Sequence, residues 1–375
     1  MAVLRKLLRG PRGQKFGHAV GRLGRRFLAG LLARILPAPS NPVDEGFEDA
    51  EKILVVRPNF RIGNTLMTNA LVPALRGRFP DARIDYLVGD TTVALVNNLS
   101  IDRVHAMSRG YVTRPWAFVQ LFLGLRRERY DLAVEAGLGS FSGGLYSYLS
   151  GARIRAGFGG AGEAFLNLHL PRPPRGHAYD EAAVLGRALG LDVERRPHYR
   201  VGDPEREEAG EILVRCEGEE RQLGDLRLGI FVGGHLHKRW PEDRWAGVLQ
   251  ELDLAGLPFV VFLGPEEADR QSFFEKAAGI GSRVLPPQKL GVFAALLERC
   301  TLLVTPDSGP MHLAAALGVP TIAILHGETA RYYAPDGSLD RSLIDPDVGG
   351  VMEVIGAHPS VAPALAGAAR TGAST

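Results

Sequence analysis

Thr305-Pro306-Asp307-Ser308-Gly309-Pro310-Met311-His312-Leu313-Ala314-Ala315-Ala316-Leu317-Gly318-Val319-Pro320 reads as strand end, tight turn and helix in unbroken order. The apolar run Cys300 to Val304 before it suits a buried parallel strand. Asp307 or Ser308 suits the N-cap of a helix that carries Pro310 in its first turn. Gly318 stops that helix. The amides of Ser308, Gly309 and Met311, at the positive end of the helix dipole, would face an anion such as a diphosphate, with His312 one turn further in. The plain alternative is an ordinary strand-to-helix connection in an α/β domain.

Upstream, the same alternation repeats. Leu228 to Gly233 is a buried-type strand, followed by the loop Gly234 to Pro241, a helix at 242–252, a strand at 258–263, the turn Gly264-Pro265-Glu266-Glu267 and a helix at about 268–278. A strand at Val284 and a helix at 292–298 lead into the opening stretch. Loops that follow parallel strands share one edge of the sheet, so Lys238, Arg239, the pair Glu266 and Glu267, and Asp307 to His312 should converge on one crevice. Cations and helix amides suit phosphates, and a carboxylate suits ribose hydroxyls. His235 and His237 have no further ligands nearby, which argues against a metal site. Trp240 reads as a core anchor for the helix after Pro241.

The preceding half has its own alternation: a strand at Lys52 to Arg57, a Gly-containing turn at Arg61-Ile62-Gly63-Asn64, a helix at 65–78, a strand at 83–88, helical residues 91–97, a strand at Val104, a helix at 116–129 and a strand at 131–135. Ligand-binding loops are then expected at Arg57 to Asn64 and Glu135 to Ser142. Arg57 either binds an anionic ligand or is a satisfied strand-end arginine. Gly157-Phe158-Gly159-Gly160-Ala161-Gly162 has G-x-G-x-x-G spacing but does not follow a first strand, so it is taken as accidental. Helices at 179–189 and 204–217 follow, with a domain boundary between about 200 and 226. The expected units are 1–48 (basic amphipathic segment and linker), 49–205, 226–340 and a C-terminal tail or helix at 341–375.

At 375 residues, 45% hydrophobic and 23% charged, the chain has the composition of a soluble two-domain globular protein. Two cysteines in dissimilar contexts, Cys216 and Cys300, argue against a disulfide framework and for a reducing compartment. The net charge is +2, yet the first forty residues hold nine Lys or Arg and no acid, leaving −7 for the remainder. No nucleic-acid partner is expected from that balance. From Phe16 to Ile35 the apolar residues recur at helical steps opposite a basic face. Arg34 interrupts the longest apolar run, so this helix is expected to lie on an anionic membrane surface rather than span it, or to pack on the body of the protein.

Ile53 to Arg57, Ile62 to Asn69, Leu75 to Pro80, Lys238-Arg239-Trp240-Pro241 and Asp307 to Ala316 resemble, in order, the successive signatures of glycosyltransferase family 9, the ADP-heptose:lipopolysaccharide heptosyltransferases. The resemblance runs from about 50 to 335. It implies a GT-B fold of two Rossmann-like domains, the first meeting the acceptor and the second holding the sugar nucleotide. It further implies inverting transfer without a metal or other cofactor, at the cytoplasmic face of a membrane, onto a lipid-linked glycan. Carried over by position, Lys238 and Arg239 meet the donor phosphates. Asp307, Ser308, Gly309, Pro310, Met311 and His312 line the diphosphate and sugar, and Glu266 or Glu267 holds the ribose.

One position departs from the pattern. Many members carry an aspartate base after the glycine of the first turn, where this chain has Gly63-Asn64, and an amide cannot take a proton at neutral pH. Glu135, at a strand end expected to face the cleft, is the substitute the sequence offers. Its alternative is an acidic strand end in solvent or paired with an arginine. Asn64 would then position the acceptor, while His312 belongs to the donor side. A catalytically silent sugar-nucleotide or glycan-binding scaffold is the reading Asn64 leaves open.

Overall fold

The computed structural model describes residues 46–112, 114–171, 176–217, 228–234, 238–279 and 283–362. The basic helix expected before residue 40, and His235 and His237, lie outside the described residues. The first half runs β1 (Lys52–Arg57), α1 (Ile62–Asn69), α2 (Leu71–Arg78), β2 (Arg83–Gly89), β3 (Arg103–Met107), α3 (Pro115–Glu128), β4 (Leu132–Glu135), α4 (Phe141–Leu149), β5 (Ile154–Phe158), β6 (Leu168–Leu170) and α5 (Asp180–Ala188). The second runs α6 (Asp203–Glu217), β7 (Leu228–Phe231), α7 (Glu242–Leu254), β8 (Phe259–Phe262), α8 (Gln271–Ala277), β9 (Arg283–Leu285), α9 (Leu290–Glu298), β10 (Leu302–Pro306), α10 (Gly309–Leu317), β11 (Thr321–Leu325), β12 (Arg341–Ile344) and α11 (Val348–Ala357).

Each half builds one six-stranded parallel sheet, in the orders β3-β2-β1-β4-β5-β6 and β12-β11-β10-β7-β8-β9. Numbered from the first strand of each half, these are the same doubly wound order. This is the two-Rossmann-domain GT-B architecture the resemblance implied. The order reverses between β1 and β4 in one sheet and between β7 and β10 in the other, and a crevice opens at each reversal beyond the carboxyl ends of the strands. The central strands explain why the apolar runs are unbroken. In β1, Ile53 and Val55 enter one core and Leu54 and Val56 the other, all with 0% exposure, because helices cover both faces of the sheet. Each such side chain contributes roughly 1.5–3 kcal/mol.

Several boundaries differ from the sequence reading. The helix expected at 65–78 begins at Ile62 and is two helices joined at Ala70. Residues 90–95 form a 3-10 turn. α4, β5 and β6 were not foreseen. The second sheet continues past residue 340, since β12 is its edge strand and α11 packs on α7 through Val351 and Ile355 in the core shared with Val248 and Leu252. α6 packs on α9, with Ala209 and Leu213 buried in the same cluster as Val292 and Leu296.

Candidate functional site

The two crevices face each other where α1 meets α10. Ser308 takes the N-cap position of α10 in extended conformation, but its side chain makes no capping bond; its Oγ lies 3.1 Å from Thr305 Oγ1. The first amides of α10 are therefore left to a ligand or to water. Arg61 likewise precedes α1 without a side-chain cap. Two uncapped helix N-termini thus meet, and a side chain at Gly309 would fall 3.1 Å from Ile62 Cβ. Gly318, with φ +77°, closes α10 as expected.

Lys238 reaches this end of α10 with its Nζ 2.7 Å from Asp307 Oδ2. Asp307 is buried, whereas the Lys238 side chain is 42% exposed and so open to an incoming anion. Arg239, as exposed as Lys238, places its Nη2 3.0 Å from Glu266 and 2.8 Å from Glu267. The structure separates that acidic pair: Glu267 is buried, and burial pushes its carboxyl pKa up against the pull of Arg239, while Glu266 stays exposed. Both border a cavity of about 180 Å³ that Arg239 and Trp240 also line. Trp240 is a core residue, stacked edge-on against Trp245 with ring centroids 4.8 Å apart. The Met311 side chain is fully buried in the core, so only its backbone belongs to the crevice.

His312 is buried against the other half. Burial pushes its pKa down to about 4, so the ring is neutral at pH 7, and its Nδ1 lies 3.1 Å from the Tyr179 hydroxyl. A Cβ on Gly63 would overlap His312 Cδ2 and lie 2.8 Å from Nε2. Gly63 is therefore required by close approach across the cleft. Gly63→Ala should lower stability by about 1–3 kcal/mol through overpacking. Gly77→Ala, in α2 with nothing within 4 Å, should raise it by ~0.5–1 kcal/mol. Thermal denaturation of both variants checks this; equal midpoints would show that the α1–α10 contact yields freely.

In the first half, Arg57 is buried and donates from Nε to the Asn64 backbone carbonyl at 3.2 Å, which fixes the entry to α1. It is both a satisfied strand-end arginine and part of the wall of a cleft of about 290 Å³, shared with Asn59, Asn64, Ser140, Ser142 and Glu181. Glu135 does not face that cleft. It is 0% exposed, its oxygens accept from Gly137 N (2.8 Å), Gly139 N (2.6 Å) and Ser140 Oγ (3.0 Å), and burial pushes its pKa up. The loop after β4 folds around the carboxylate, with Leu138 and Gly139 at positive φ. Gly157 belongs to this packing too, since a Cβ there would fall 2.8 Å from Glu135 Cβ. The G-x-G-x-x-G match is thus a close-packing feature of β5 and its loop, not a dinucleotide fingerprint.

Among the residues lining the cleft beside Arg57 and Asn64, Glu181 is the one carboxylate. It stands in the first turn of α5, and its Oε1 accepts from the Tyr332 hydroxyl at 3.1 Å. The sequence reading missed it. The segments on either side of α5 tie the halves together: before it, Ala178 N donates to Tyr332 O at 2.9 Å and His177 Nε2 lies 2.9 Å from Ala334 O, and after it Arg195 pairs with Asp336 at 2.7 Å. Met67, Ala178, Tyr179 and Ala315 form an apolar cluster between them.

Set beside known proteins, residues 118–339 match the sequence model of a family described as Glycosyltransferase family 9 (heptosyltransferase). Lipooligosaccharide heptosyltransferase 2 of Haemophilus influenzae is 24% identical over 78% of this chain and 88% of its own length. Lipopolysaccharide heptosyltransferase 2 of Escherichia coli is 25% identical over 76% and 85%. Among solved structures, a family 9 glycosyl transferase from Veillonella parvula superposes with TM-score 0.69 at 22% identity, covering 88% of this chain and 98% of that one. E. coli ADP-heptose lps heptosyltransferase II does so with TM-score 0.65 at 21% identity, covering 82% and 98%.

Proposed function

The chain belongs to glycosyltransferase family 9, and from that premise we propose that it transfers heptose from ADP-heptose to a lipid-linked glycan such as lipopolysaccharide core, with inversion at the anomeric carbon. The observation that carries this reading is the shared wall: the α10 N-terminus with Lys238, suited to a diphosphate, touches through His312 and Gly63 the helix that bears Asn64 and lines the acceptor cleft.

In this reading an acceptor hydroxyl attacks the anomeric carbon as the bond from that carbon to the diphosphate oxygen breaks. Displacement from the opposite face inverts the centre. The leaving ADP gathers negative charge, which Lys238 and the two helix N-termini stabilise, so the step has its positive charge without a metal. Arg239, Glu266 and Glu267 border the cavity for the nucleoside. Asn64 holds the acceptor hydroxyl by hydrogen bonds. Glu181 takes its proton, because it is the carboxylate that lines the acceptor cleft. Glu135, with its oxygens occupied, holds the loop after β4 in place. The basic segment before residue 40 keeps the enzyme peripheral on the cytoplasmic face of the membrane, where a lipid-linked acceptor is within reach.

The test is ADP release by the purified protein from ADP-heptose in the presence of lipid A–core acceptors. Turnover dependent on both substrates is the expected result. Donor binding without turnover across the acceptor panel would make the chain a silent sugar-nucleotide binder, as Asn64 alone would have it.

A further inference from the structure

Eight large hydrophobic side chains are exposed among the described residues, and three of them share α3: Trp116 at 75%, Val119 at 38% and Leu123 at 50%. Their i, i+3, i+7 spacing puts them on one face. The fold does not need that face, because the opposite side of α3 already supplies Phe118, Phe122 and Leu125 to the core with Tyr111 and Tyr146. Arg114, Gln120, Arg126 and Arg127 are exposed along with the apolar stripe. The one acid of the helix, Glu128, is held by Arg83 (2.9 Å) and Arg103 (2.6 Å). The outward face is thus apolar and cationic.

Three occupants can be weighed by charge. The first forty residues of this chain carry nine cations and no acid, so they do not complement an arginine-bearing face. A second copy would set Arg114, Arg126 and Arg127 against themselves. An anionic bilayer matches both the charge and the apolar stripe. The placement fits as well: in a parallel sheet the helix after β3 starts at the carboxyl edge, the edge that bears the acceptor cleft. Phe60, next to the cleft residue Asn59, packs in the same cluster as Tyr111 and Phe118.

We infer that the outer face of α3 docks on an anionic phospholipid surface, with Trp116, Val119 and Leu123 at the boundary between headgroups and acyl chains and Arg114, Arg126 and Arg127 over the phosphates. The surface is distinct from the basic segment before residue 40, and it does not depend on which sugar is transferred.

The chain has three tryptophans, and Trp240 and Trp245 are buried at 2% and 0%, so Trp116 is the one that reports. The full chain is mixed with phosphatidylglycerol/phosphatidylethanolamine vesicles bearing brominated acyl chains. Tryptophan emission should shift to the blue and be quenched, and the quenchable part should vanish in Trp116→Phe. Trp116→Ser/Leu123→Ser should weaken vesicle partitioning by about tenfold or more while leaving the thermal midpoint unchanged. Arg126→Gln/Arg127→Gln should weaken it by about fivefold or more, with no loss to phosphatidylcholine vesicles. Sedimentation of the protein with vesicles while Trp116 stays unquenched would assign membrane binding to another segment and overturn the inference. Failure to bind, equal affinity for phosphatidylcholine, or self-association abolished by Trp116→Ser would overturn it too.

Discussion

Glu181→Gln is expected to lower kcat by about 10³-fold and to remove the acid limb of the pH–rate profile, within the 10²–10⁴ that a positioned general base contributes. The substitution keeps the volume and the capacity to accept from Tyr332, so the cleft should keep its shape and donor affinity should change little. A merely structural role would move affinity and stability instead and leave the pH profile as it was. Glu135→Gln should show that structural pattern. It replaces one acceptor oxygen of a fully buried carboxylate, where Gly137 N, Gly139 N and Ser140 Oγ all need one, with a group that donates. Steady-state kinetics across pH together with thermal denaturation separate the two. Full activity in Glu181→Gln would return the base to Asn64's other neighbours.

Lys238→Met should cost kcat/KM about 10²–10³-fold and lower stability by about 1–3 kcal/mol. The Lys238 side chain is half open to solvent, so the ammonium itself adds little to folding, but its removal leaves the buried Asp307 carboxylate unpaired. Without the ammonium, the buried Asp307 carboxylate stands alone beside the proposed diphosphate position, and repulsion adds to the lost attraction. Lys238→Met/Asp307→Asn should therefore recover about tenfold of the loss, an interaction that a double-mutant cycle reads directly. Additive losses would mean that the two residues do not share one anion.

How far the sequence speaks depends on how local the physics is. The α10 segment was legible because strand, turn and stop lie within sixteen consecutive residues, and β1 because a strand buried on both faces has to be apolar throughout. β5 was not, since Arg155 sits in it. That guanidinium is buried and donates to the carbonyls of Phe165 (2.9 Å) and Ala152 (2.8 Å), partners that only the fold supplies. Glu135 and Glu181 fail in opposite directions. A strand-end carboxylate was expected to look into the cleft, but a glycine-rich loop wraps it. Nothing in the sequence singles out Glu181 among the acids of a helix first turn, and its position in the cleft is set by contacts of α5's leading segment with residues some 150 positions later in the chain, such as Ala178 with Tyr332.

Where α1 meets α10, two helix dipoles come close at the same end. Two helices present their positive poles to each other without side-chain caps, joined by Gly63 against His312 and Gly309 against Ile62. The like poles repel one another, and the close contact and the hydrogen bonds between the halves hold them together against that repulsion. An anion lodged there would turn opposition into attraction on both sides at once. It would act as a keystone in the arch between the two halves: its negative charge, more than its bulk, would tighten the joint, and its departure would loosen it again.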